Sequence, residues 1–272
     1  MELESEGAET LPLKLESLLG RGAIGEVWKA RSPLGFVAVK CIELGDTNDK
    51  ERELATQEAQ LLKRIKHPYI VRYLDLVISG SQMRIVMQLL QGDLAQAIAW
   101  RWEHRLGGFR EEQLWQWLWH LCSALAFLHR VKILHRDVKP ANIFLSKTND
   151  AVLGDFSIAK VLSVATTNTQ IGTPGYKAPE VWLGHRYGAK SDIFSLGCSI
   201  YEATELRRAF RALAAEAYRP SPVLRSCVSN ALRLVLRSML EKMPQRRAGA
   251  ADLLRRIKTS RSTCLGAGIL EP

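Results

Sequence analysis

His135-Arg136-Asp137-Val138-Lys139-Pro140-Ala141-Asn142, followed by Asp155-Phe156-Ser157, is the stretch on which the reading of this 272-residue chain turns. An aspartate, a lysine two residues on, an asparagine five residues on and another aspartate thirteen beyond that are the parts that phosphoryl transfer to a hydroxyl needs. Asp137 can align an attacking hydroxyl and accept its proton. Lys139 can neutralise the moving phosphoryl group, and Asn142 and Asp155 carry oxygens of the kind magnesium takes. A loop of polar residues thrown together by chance would rarely hold all four at these spacings.

Toward the N-terminus, Leu19-Gly20-Arg21-Gly22-Ala23-Ile24-Gly25-Glu26-Val27 contains G-x-G-x-x-G-x-V, in which glycines let backbone amides approach phosphate oxygens. Alone this is a weak sign, equally a surface turn. No helix with a dinucleotide-type acidic residue follows it. A strand-like run, Phe36-Val37-Ala38-Val39-Lys40, comes next, which argues against a Rossmann turn. Lys40 ends that run, where it can reach a phosphate as a point charge. A helical stretch over about 50 to 65 offers Glu58 to hold Lys40, although Glu51 and Glu53 compete for that role.

The texture of the chain changes once, near residues 88 to 95. Before it, short β-rich runs dominate: Val37 to Val39, Tyr69 to Leu76, and Ile85 to Met87. After it, the periodicity predicts helices over about 94 to 102, 110 to 129, 190 to 204 and 229 to 241. The expected fold class is therefore α+β: a small β-rich lobe with one main helix and a larger α-helical lobe, with the crevice between them as the default ligand site.

Composition excludes several classes. At 47% hydrophobic and 24% charged residues the chain is neither disordered nor fibrous. The five cysteines stand singly, without zinc or disulfide spacing, which fits a reducing intracellular compartment, cytoplasmic with nuclear or cytoskeletal positions open. The acidic start, Met1 to Glu9, is no secretory signal, and no apolar run is long enough to span a membrane. Lys and Arg total 38 against 28 Asp and Glu, a net charge of +10 that points to an anionic partner without choosing one. No nucleic-acid-reading motif accompanies that charge, so a nucleic-acid partner is not expected.

Taken in order, the glycine-rich segment, Val37-Ala38-Val39-Lys40, His135 to Asn142, Asp155-Phe156 and Ala178-Pro179-Glu180 resemble the eukaryotic protein kinase domain over about residues 13 to 258. His67-Pro68-Tyr69-Ile70-Val71 and Gly172-Thr173-Pro174-Gly175-Tyr176 look most like serine/threonine kinases of the NIMA-related type. The resemblance implies an N-terminal extension over 1–12, a domain over 13–258 with lobes of about 13–87 and 94–258 joined at 88–93, and a tail over 259–272. It implies ATP and Mg2+ as cofactors, protein substrates bearing Ser or Thr, and activation by an upstream kinase or autophosphorylation. A pseudokinase or ATP-binding scaffold is the alternative.

Residue by residue, the resemblance implies that Gly20, Gly22 and Gly25 cover the triphosphate and that Lys40, paired with Glu58, holds its phosphates. Val27, Ala38 and Phe144 take the adenine, with Met87 at the gatekeeper position, Gln88 to Leu90 bonding the base, and Asp93 at the ribose. His135, Phe156 and Leu62 form an apolar stack. Thr173 bridges Asp137 and Lys139, Glu180 pairs with Arg247, and Asp192 anchors the catalytic loop.

Between Asp155 and Glu180 lies a hydroxyl-rich loop, in which Thr169 is the best candidate for a phosphate that docks on Arg136. Three features depart from the family. Ser157 stands where a glycine is usual, which predicts retained magnesium binding with a restricted loop flip. The segment from Phe210 to Asn230 is short. Trp100, Trp102, Trp115, Trp117 and Trp119 cluster, which core packing with partial exposure explains better than a ligand cage.

Overall fold

The computed structural model describes residues 12–22, 25–43, 63–79, 81–154, 173–210, 224 and 228–265. They fall into two units, one of residues 12–90 and one of 91–154 with 173–265. The first is a sheet and the second is mainly helical, so the fold is α+β.

In the first unit β1 (Lys14–Gly22), β2 (Gly25–Ser32), β3 (Gly35–Glu43), β4 (Tyr73–Ser79) and β5 (Gln82–Gln88) form an antiparallel sheet in the order β1-β2-β3-β5-β4. The β-branched run in β3 puts Val37 and Val39 on one side, where they pack with Ala30 and Val86 into a closed core. Residues paired across antiparallel strands share a face. Lys40 faces Val27 and Ile85, and Ala38 faces Met87, so Val27, Ala38, Lys40 and Met87 lie on the other side of the sheet together. The expected strand at Tyr69 begins only at Tyr73. His67-Pro68-Tyr69 make a turn instead, with the Ile70 amide donating to the His67 carbonyl (3.2 Å) and the Tyr69 amide to His67 Nδ1 (3.2 Å).

Gly25 is required by the sheet itself. Its φ is +142°, and a Cβ there would stand 2.0 Å from the Cys41 carbonyl oxygen of β3. Gly25→Ala is expected to destabilise the protein by about 3 kcal/mol, from backbone strain and the clash together. Denaturant unfolding measures it, and a loss under about 1 kcal/mol would mean that β2 yields to the side chain.

The second unit holds a small sheet of β6 (Gly92–Asp93), β7 (Ile143–Leu145) and β8 (Ala151–Leu153). Its helices are α1 (Leu94–Glu103), α2 (Glu111–Arg130), α3 (Pro179–Trp182), α4 (Ala189–Glu205), α5 (Asn230–Met239) and α6 (Ala250–Leu265). In α2, Leu114, Leu118, Leu121, Leu125 and Leu128 recur at helical spacing and are fully buried. Phe194, Cys198 and Tyr201 of α4 pack with Tyr176, Phe210 and Leu240. The basic segment Arg255 to Arg261 belongs to α6, which buried Leu253 and Ile257 seat. The tryptophans divide: Trp115 and Trp117 are buried, whereas Trp100 and Trp102 are 53% and 65% exposed. No helix among the described residues is long and apolar enough to cross a membrane.

Candidate active site

The segment 131–142 between α2 and the small sheet is irregular, and a buried carboxylate holds it. Asp192, in the first turn of α4, accepts from the backbone amides of His135 (3.0 Å) and Arg136 (2.9 Å), from the Tyr187 hydroxyl (2.7 Å), and pairs with His129 Nε2 (2.8 Å). Arg136 has φ +67°, a left-handed conformation that costs a non-glycine residue about 1–2 kcal/mol. The bonds from Asp192 offset that cost. Burial alone would push the Asp192 carboxyl up, but the His129 hydrogen bond and its other neighbours outweigh it and hold the group below the usual carboxylate range.

Asp192→Asn turns one acceptor into a donor that faces a backbone N–H, that of Arg136 or His135. It is expected to lower stability by about 3 kcal/mol in denaturant unfolding, while a change under 1 kcal/mol would show that the loop is held elsewhere. Because the folded-state value is depressed, the contribution of Asp192 is present above the ordinary aspartate range and is lost as pH falls through the lower folded value.

Next to this anchor stands the candidate chemistry. Asp137, 8% exposed, accepts at Oδ1 from the Thr173 hydroxyl (2.8 Å) and at Oδ2 from Asn142 Nδ2 (3.2 Å) and Lys139 Nζ (3.1 Å). Lys139 Nζ also donates to Thr173 Oγ1 (3.0 Å). A 3-10 turn, Pro140–Asn142, swings Asn142 back over the loop so that Nδ2 also donates to the Asp137 carbonyl (2.8 Å). His135 is buried. Its Nδ1 accepts from the Asp137 amide (3.3 Å), so the ring proton sits on Nε2, which donates to the Gly154 carbonyl (2.9 Å).

The residues present fit a magnesium site in part. With Asn142 Nδ2 committed to Asp137, the carboxamide turns Oδ1, a hard oxygen ligand, the other way. Its expected partner Asp155 lies outside the described residues, as do Glu58, Leu62, Phe156, Ser157 and Thr169. Among the described residues no group of three or more His, Cys, Asp or Glu could hold a metal ion.

In the sheet unit, a Cβ on Gly20 would meet nothing within 4 Å, so that stretch of backbone is open to approach. Gly22 closes the hairpin opposite Gly25. The Gln88 amide donates to the Arg72 carbonyl (2.9 Å), so that N–H is already engaged. In the helical unit, Asp93 caps α1, with Oδ1 accepting from the Gln96 amide (2.8 Å), and Phe144 lies opposite it in β7.

Glu180 and Arg247 form a buried bidentate pair at 2.7 and 2.9 Å, and Ser191 donates to Glu180 Oε1 (2.8 Å). Two contributors were not legible in the sequence. His129 and Tyr187 complete the hold on Asp192, yet neither stands in a recognisable spacing with it.

Residues 13–257 match the protein kinase domain. The chain is 39% identical over 251 residues to serine/threonine-protein kinase Nek3 of Oryza sativa subsp. japonica, covering 87% of this chain and 42% of that protein. It is 36% identical over 250 residues to serine/threonine-protein kinase Nek4 of Mus musculus, covering 88% and 31%. With serine/threonine-protein kinase nekl-2 of Caenorhabditis elegans it shares 32% over 254 residues, covering 87% and 71%. The chain thus spans less than half the length of the first two.

Proposed function

The chain belongs to the protein kinase family and, within it, to the NIMA-related serine/threonine kinases, and on that premise we propose that it transfers the γ-phosphoryl group of ATP to serine and threonine hydroxyls of proteins. One arrangement carries the reading: a nearly buried Asp137 carboxylate held between Lys139, Thr173 and Asn142, all within 3.2 Å. Asp137 orients the acceptor hydroxyl and takes its proton onto a carboxylate oxygen. Lys139, charged and tethered by Thr173, stands by the charge that develops on the phosphoryl oxygens. Asn142 and Asp155 would hold magnesium, which would supply positive charge to neutralise the phosphate oxygens.

ATP is held through its phosphates by Gly20, Gly22, Gly25 and Lys40, with Glu58 orienting the lysine. Val27, Ala38, Met87, Leu90 and Phe144 serve the base and Asp93 the ribose. Phosphorylation of Thr169, by an upstream kinase or by the chain itself, docks on Arg136 and orders the loop. The free thiols of Cys41, Cys122 and Cys198 fit an intracellular, reducing compartment.

The test is incubation of the full chain with labelled ATP, magnesium and a basic protein substrate beside an Asp137→Asn control. The expected result is phosphate on serine or threonine from the unaltered chain alone. Equal incorporation by both, or none by the unaltered chain after loop phosphorylation, would overturn the proposal and favour a nucleotide-binding scaffold.

A further inference from the structure

Two adjacent arginines follow α4, and they are used differently. Arg207 is committed: its Nη2 donates to the Tyr201 hydroxyl (2.9 Å) and lies 3.6 Å from Glu205. Arg208 is exposed, and among the described residues it makes no hydrogen bond and no ion pair. What positions it is the face of Tyr176, with the guanidinium carbon 5.6 Å from the ring centroid. That ring is itself fixed, since its hydroxyl donates to Glu202 Oε2 at 2.5 Å. Glu202 is near enough for the Arg208 charge to act on it, yet its Oε2 is occupied by Tyr176 and burial pushes its carboxyl up, while Glu205 is engaged by Arg207.

The place of Arg208 gives it a use. A Cβ on Gly175 would lie 3.8 Å from both Cδ and Nη1 of Arg208, so the arginine borders the bare stretch of backbone at Gly175, whose φ is +92°. Gly175 is two residues from Thr173, the residue that donates to Asp137 Oδ1 (2.8 Å). Two residues of chain span at most about 7 Å, which with the 3.8 Å and 2.8 Å contacts at its two ends keeps Arg208 within roughly 15 Å of the carboxylate that must meet the acceptor hydroxyl. Three residues of extended substrate chain cover about 10 Å, and the reach of the acceptor and anionic side chains supplies the rest. Because position 175 bears no side chain, nothing at that position separates the guanidinium from such a chain.

We propose that Arg208, exposed on the Tyr176 ring beside Gly175, is a specificity-determining residue that selects protein substrates carrying an anionic side chain within three residues of the phosphorylated serine or threonine. This rests on the kinase reading above and names the substrate class for that same site. A carboxylate and a phosphate share the required chemistry, since both accept two parallel bonds from a guanidinium.

The experiment measures kcat/KM of the full chain on a peptide set with one acceptor serine. Aspartate, asparagine, lysine or phosphoserine is placed in turn at each of the three positions on either side. The quantity read is the ratio of the aspartate to the asparagine peptide. Expected is a preference of roughly fivefold for aspartate at one or two positions, expressed in KM, fading as salt is raised. Arg208→Lys keeps part of the ratio, and Arg208→Glu inverts it in favour of the lysine peptide. A phosphoserine preference well above that for aspartate would identify prior phosphorylation as the source of the anion.

A ratio near one at every position, or a ratio that Arg208→Glu leaves intact, overturns the inference while the kinase reading stands. Failure to phosphorylate any peptide overturns both. Should Arg208→Glu not fold, the salt dependence of the wild-type ratio decides: an acidic preference indifferent to salt counts against a guanidinium.

Discussion

Asp137→Asn is expected to lower kcat by about 10²–10⁴-fold, the range lost when a positioned general base is removed. The carboxamide has the same shape, and it can still take the Thr173 hydroxyl bond (2.8 Å), so the loop keeps its anchors on Asp192. What disappears is the charge facing Lys139 at 3.1 Å and the atom that can carry away the acceptor's proton. Single-turnover transfer to a peptide measures the loss, beside a thermal melt to establish that the variant is folded. A folded variant with less than a tenfold loss would mean that the proton leaves by another route. A melt that falls with activity would move the residue's importance from chemistry to structure.

The largest effect on stability is expected at Arg247, where replacement by methionine should cost about 3–5 kcal/mol. The reason is completeness. The Arg247 side chain is fully buried, and every one of its five N–H groups has an acceptor. Nε donates to the Glu241 carbonyl (2.8 Å), Nη1 to Glu180 Oε1 and the Lys190 carbonyl (both 2.7 Å), and Nη2 to Glu180 Oε2 (2.9 Å) and the Lys242 carbonyl (3.1 Å). Methionine fills much of the volume but leaves Glu180 buried with an uncompensated charge. The double variant Glu180→Gln with Arg247→Met should therefore be more stable than Arg247→Met alone. If the double variant is no better, the stranded charge is not what costs the stability.

The pH dependence gives an independent check. In the native protein, burial pushes the Glu180 carboxyl up, but the Arg247 hydrogen bond and charge pull it further down, so the net shift is downward. Its contribution is then present above the ordinary glutamate range and lost as pH falls through the lower folded value. In Arg247→Met the burial effect acts largely unopposed and the shift becomes upward, so mild acid should stabilise the variant relative to neutral pH. Denaturation midpoints at two or three pH values would show whether the slope reverses.

Much of the candidate site was legible because its chemistry is local. Asp137, Lys139 and Asn142 lie within six residues of one another, and a polar trio at such spacing seldom arises without a shared chemical task. The side of the sheet shared by Val27, Ala38, Lys40 and Met87 was half legible. The alternation in β3 puts Ala38 with Lys40, but only the register of β3 with β2 and β5 adds Val27 and Met87. Strand boundaries at Tyr69 failed because the turn there is closed by the side chain of His67, an interaction that periodicity does not encode.

The sequence by itself determined the family and the two-part architecture, since both rest on residue types at short spacing and on a change of period near residue 90. Tertiary structure alone decided what holds the chemistry in place. Asp192 meets the backbone of Arg136 across 56 residues, Glu180 meets Arg247 across 67, and Arg208 comes to the bare backbone of Gly175. Contacts of that span depend on how buried helices pack, and a hydrogen bond formed only after packing leaves no periodic trace in the chain that makes it.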